Sequence, residues 1–141
     1  MQLTRNFSMH EFDCKDGTKV ITEGRDIKAE IRTLALTLQF IRDEWGGGLT
    51  VLSGFRTLTY NTSVGGETTS QHVRARAADI RPNDWTEDTT LEEKQEDLNR
   101  LYDTINVMQT NGDILKGGLS VYLDEHNLFV HVDTRGKEAR W

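Results

Sequence analysis

Between Asp26 and Trp45 the apolar residues Ile27, Ile31, Leu34, Leu38, Ile41 and Trp45 recur in steps of three and four, which puts them on one stripe of a helix about five turns long. A stripe of that length has to be covered, and Gly46, Gly47 and Gly48 stop the helix that carries it. A second helix is predicted from about 91 to 108: Thr90 and Glu93 have capping-box spacing, and Leu91, Leu98, Leu101, Ile105 and Met108 make most of a second stripe. Asn111 and Gly112 end it. The covering surface comes from short strands at 49 to 53 and 77 to 81 and from a hairpin at 118 to 133. In the hairpin's second arm, alternation sets Leu128, Val130 and Val132 on one face and Phe129, His131 and Asp133 on the other. One face belongs to the core, and the other is free for chemistry.

At 141 residues, with no visible linker or internal repeat, the chain is expected to form one domain spanning 1–141. The 17 Lys plus Arg against 23 Asp plus Glu, a net charge of −6, argue against nucleic-acid binding as the main task. A single cysteine, Cys14, leaves no internal disulfide and no structural cysteine-zinc site. The opening residues show neither a signal-peptide pattern nor an apolar run long enough for a membrane, so synthesis in the cytoplasm and no membrane partner are expected. His10 and Cys14 read as structural or surface residues, and Trp45 as core.

The segment from 57 to 71, rich in Thr, Ser, Asn and Gly, reads as a long irregular loop of the kind that carries function. It leads into His72, and Asp79 follows after six residues. With His131 in the distant strand, two imidazoles and one carboxylate are available to be brought together. Catalytic zinc takes three ligands of this type and leaves a fourth position open. The spacing alone also fits an ordinary hydrogen-bonded histidine in a strand.

The segments SGFRT (53–57), YN (60–61), GG (65–66), SQHVRARAADIRP (70–82), GGLSVY (117–122) and FVHVDTRG (129–136), in this order, resemble the M15 family of zinc-dependent peptidoglycan peptidases. That family includes D-alanyl-D-alanine carboxypeptidases and phage L-alanyl-D-glutamate endopeptidases, and the likeness is to its small single-domain members. The resemblance implies one zinc per chain held by His72, Asp79 and His131, and a peptidoglycan peptide as partner. It implies that Arg56 grips a substrate carboxylate through its planar fork. Ser70 and Tyr60 are weaker candidates for lining the cleft. The expected fold is α+β, a small antiparallel sheet carrying the metal with two main helices packed on its other side.

Two departures from the family pattern stand out. Ala75 replaces a usual glycine three residues after His72, and Leu128 and Phe129 occupy the places where an acidic residue or a histidine commonly precedes the last ligand. Neither Leu128 nor Phe129 can take a proton. The alternatives are Asp133, which shares a strand face with His131, and His126 in the DEHN turn, with Glu125 behind it. Asp133 is slightly favoured as the base, its competing role being to orient His131. The missing acid also keeps a second class open, a non-catalytic zinc-containing module that binds wall peptides, such as a phage structural component. A wall enzyme without an export signal is expected to act after release, as in phage lysis.

Overall fold

The computed structural model describes residues 1–141. Helix α1 (Arg25–Trp45) buries Ile31, Leu34, Ala35, Leu38 and Ile41, and Gly46 closes it at φ 81°, a left-handed turn that a side chain would strain. After β1 (Leu49–Ser53) comes a six-residue helix, α2 (Leu58–Ser63), then β2 (Ala77–Pro82). Helix α3 (Leu91–Asn111) starts as its capping box predicts. Thr90 Oγ1 accepts the Glu93 N–H at 3.1 Å, and the Glu93 carboxylate accepts the Thr90 N–H at 3.0 Å. The chain ends in β3 (Gly118–Asp124), β4 (Asn127–Asp133) and the two-residue β5 (Ala139–Arg140).

The five strands form one sheet in the order β1-β2-β4-β3-β5, antiparallel except where β5 runs alongside β3. One face is apolar. Ile80, Val130, Val132 and Leu119 are fully buried there and belong to one core with Leu34, Leu38, Leu98, Leu101 and Ile105 of the helices. The other face carries Asp79, His131, Asp133 and Ser120, and no long helix crosses it. This is the α+β arrangement the helical stripes require, since two amphipathic helices and a sheet with one apolar face satisfy each other in two layers.

Two elements escape the sequence patterns. Helix α2 lies in the segment read as irregular: it has no apolar stripe and is held at its start by Thr57, whose hydroxyl accepts the Tyr60 N–H at 3.1 Å. Strand β5 is too short to show alternation. Trp45 is half-buried against the core with the Arg100 guanidinium 5.0 Å from its ring centre, while Cys14 is buried and His10 exposed. No helix is long and apolar enough to cross a membrane.

Candidate metal centre

The pairing register assembles the polar face. Asp79 on β2 lies directly opposite His131 on β4, and Ser120 on β3 opposite His131 on its other side. His72 arrives from the turn before β2, where the Arg56 N–H bonds to its carbonyl and so ties the two sequence segments together. The His72 Nδ1–H donates to the Gly54 carbonyl at 2.8 Å, which turns Nε2 toward Asp79 Oδ1 at 3.3 Å. His131 places Nδ1 3.1 Å from the same oxygen. One ligand atom from each of the three buried residues thus lies within 4.8 Å of the others.

These separations fit zinc. Four-coordinate bonds of about 2.0–2.1 Å put neighbouring ligand atoms roughly 3.3 Å apart. Two neutral imidazole nitrogens and one carboxylate oxygen form a typical catalytic donor set with one position left for a reactant. Burial pushes the Asp79 carboxyl up, but its contacts with His131 and His72 outweigh that and hold the group well below the usual carboxylate range. It therefore stays an anion, the form that can hold a metal ion.

Asp133 sits behind His131. Its Oδ2 accepts the His131 Nε2–H at 2.9 Å, and Oδ1 accepts the Gly118 N–H at 2.8 Å. Arg135 grips both oxygens from the other side, Nε at 2.9 Å and an amino group at 2.7 Å. The residue is 0% exposed. Burial raises its carboxyl, yet His131, Arg135 and the Gly118 N–H together hold it well below the ordinary range. The same contacts work on His131, whose pKa burial would lower but the two flanking carboxylates raise. Strand alternation correctly places Asp133 on the metal face, but its oxygens are already filled and point away from the cleft. Asp133, favoured from alternation as the proton acceptor, thus has both oxygens engaged, one of them on His131. Gly118 makes this contact possible, because a Cβ there would lie 2.2 Å from Asp133 Oδ2.

A cleft of about 670 Å³ opens over His72, Asp79 and His131. On one side stand Tyr122 and Phe129, stacked 4.5 Å apart, and Trp141, whose ring centre is 4.9 Å from that of His131. The other side is the chain from Val64 to Gln71 with Arg56. Arg56 is braced by Ser53 at 3.3 Å and Asn61 at 3.2 Å, leaving an amino group 3.7 Å from Asp79 Oδ2. Asn61, fully buried, also donates to the Glu67 carbonyl at 2.7 Å. Gly66 has to be glycine, since a Cβ would meet Asn61 Oδ1 at 2.1 Å.

Of the expected cleft residues, Arg56 and Ser70 line it, and the Ser70 hydroxyl accepts the His72 N–H at 3.2 Å. Tyr60 does not line it. Its ring packs against the hydrophobic core, because α2 turns that position inward. His126 lies outside the main cleft at the β3–β4 turn, with its side chain 82% exposed and 3.2 Å from Glu125. Two residues passed over in the sequence emerge. Glu67, exposed on the loop that borders the cleft, has a carboxylate in no ion pair or side-chain hydrogen bond, and Arg135 brings the clamp on Asp133. The GG at 65–66 was the available signal for Glu67, since it marks the loop that wraps Arg56.

At Ala75 the chain adopts φ 59°, the left-handed conformation for which glycine is the usual choice. Ala75 thus holds, in the turn before β2, a conformation that glycine adopts without strain. Residues 5–133 match the Peptidase M15 family. A comparison with curated proteins gave no match.

Proposed function

The chain belongs to the peptidase M15 family, and from that membership and the His72–Asp79–His131 geometry we propose that it is a zinc peptidase hydrolysing an amide bond in the peptide part of peptidoglycan. The observation that carries this reading is a buried set of three ligand atoms at zinc spacing on the floor of an open cleft. Zinc held there supplies Lewis acidity toward a carbonyl and lowers the pKa of water.

The protein's own groups supply the rest. Arg56 offers its guanidinium to a substrate carboxylate beside Asp79, and its bracing by Ser53 and Asn61 fixes where that carboxylate sits. Asp133 and Arg135 hold the His131 ring in the one orientation that aims Nδ1 at the metal position. Glu67 takes the proton of the attacking water and returns it to the leaving amine, since it is the cleft carboxylate with both oxygens uncommitted. His126 is the alternative acceptor, at the turn bordering an adjoining depression.

Leu128 and Phe129 support a second reading, a wall-peptide-binding module that keeps the metal without turnover. Purified peptidoglycan incubated with the protein decides between them. New amine release that a chelator abolishes, with mass spectrometry of the fragments identifying the bond, supports the peptidase. Binding to the wall without chelator-sensitive release supports the module.

A further inference from the structure

A second depression of about 360 Å³ adjoins the metal cleft and shares Asp79 and Phe129 with it, so the two make one trough that passes the three ligands. The chemistry changes along this trough. Beyond Asp79 the lining includes Arg81, Lys94 and His126. Arg81 is two residues past Asp79 on the same face of β2, ~6–7 Å along the strand, or about two residues of an extended peptide. Its guanidinium lies 5.4 Å from the centre of the Trp85 ring, and the Lys94 ammonium 5.6 Å from the same point. Trp85 is itself anchored, its Nε1–H donating to Asp97 at 2.9 Å.

The two cations are held together by one aromatic platform, and neither forms an ion pair. This is unlike the other cations of the trough: Arg56 lies beside Asp79 and Arg135 is clamped to Asp133. Glu125, an exposed acid of the same depression, lies 3.2 Å from His126 and pairs with neither cation. In a chain of net charge −6, two half-buried neighbouring cations that pair with no carboxylate of the protein leave a positive site that an anion would complete. Both side chains also offer N–H donors that strengthen when they meet a charged acceptor.

We propose that Arg81 and Lys94 form a second anion-binding subsite, which takes a carboxylate on the part of the substrate peptide lying beyond Asp79 from the main cleft. The inference rests on the peptidase reading for the identity of that peptide. It makes the enzyme selective for wall peptides with an internal acidic residue whose carboxylate is free, and amidation of that carboxylate weakens recognition.

The test uses two synthetic wall stem peptides that differ only in whether the α-carboxylate of the glutamate residue is free or amidated. The ratio of kcat/KM for the two is measured with the zinc-loaded protein and with its Arg81→Gln/Lys94→Gln variant. Where a peptide is not cleaved, the ratio of Kd by titration calorimetry is read instead. We expect the wild type to favour the acidic peptide about tenfold, the scale of one charge-assisted hydrogen bond, and the double variant to favour it less than about twofold. Equal handling of both peptides by the wild type, or an undiminished preference in the variant, overturns the subsite while leaving the peptidase reading in place. Absence of cleavage of either peptide and of peptidoglycan removes the peptidase reading, and the Kd ratio still decides the subsite. Should the double variant melt well below the wild type, Lys94→Gln alone, near the start of α3, gives the same comparison.

Discussion

The two faces of the sheet are built from the same strands, yet they tolerate change in different ways. Asp79 and Ile80 are neighbours in β2, one aimed at the metal position and the other fully buried in the core. On the core face each side chain is held by non-directional contacts with many others, so losing one leaves a cavity that the surroundings partly absorb. On the metal face each polar atom has one or two named partners, and losing one leaves the partner unsatisfied in a buried place. The core face therefore sets whether the chain folds, and the metal face sets what it can bind.

The largest effect is expected from the ligands. His72→Ala or His131→Ala should remove zinc and with it all measurable turnover, while the zinc-free variants keep the wild-type circular dichroism spectrum. Full zinc retention in either would break the assignment. In the wild type, zinc affinity should rise as pH increases through the raised pKa of His131, because the metal needs the neutral ring that the two flanking carboxylates disfavour.

Next comes the proton acceptor. Glu67→Gln should lower kcat by about 10²- to 10⁴-fold with zinc content unchanged, as removal of a general base does. If Glu67→Gln turns over normally and His126→Ala does not, the acceptor comes from the adjoining depression and not from the loop. On the opposite face, Ile80→Ala should cost about 2–5 kcal/mol in denaturant unfolding without altering zinc stoichiometry in the folded protein. A loss of zinc there would show that the two faces are not separable.

Asp133→Asn sharpens the comparison further, since the amide oxygen can still accept from His131 but Arg135 loses its charged partner. Zinc affinity should fall about 10- to 100-fold, and activity should return when zinc is raised. Activity that stays lost at saturating zinc would restore Asp133 as the base. The smallest effect is expected at Ala75. Glycine there relieves a left-handed conformation worth about 1–2 kcal/mol, but gives up a buried methyl and adds backbone freedom worth a similar amount. A thermal melt should therefore move by only a few degrees.

The legible features were those that rest on local repetition or on residue identity. The stripes of α1 and α3 follow from a period close to 3.6, and the capping box at Thr90 lies within four residues, so both helices could be read without knowing their neighbours. The grouping of His72, Asp79 and His131 could be named through the family resemblance carried by the segments around them, which their spacing alone did not decide. Alternation also put Asp133 on the right side of its strand. What each polar group does on that side depended on partners far away in the chain. Asp133 meets Gly118, Glu67 reaches the cleft through the bond from Asn61, and Arg81 and Lys94 converge on Trp85 from a strand and a helix. A carboxylate acts as an acceptor of protons or as a brace according to whether its oxygens are free, and that is decided by burial and long-range pairing, which alternation along one strand does not encode.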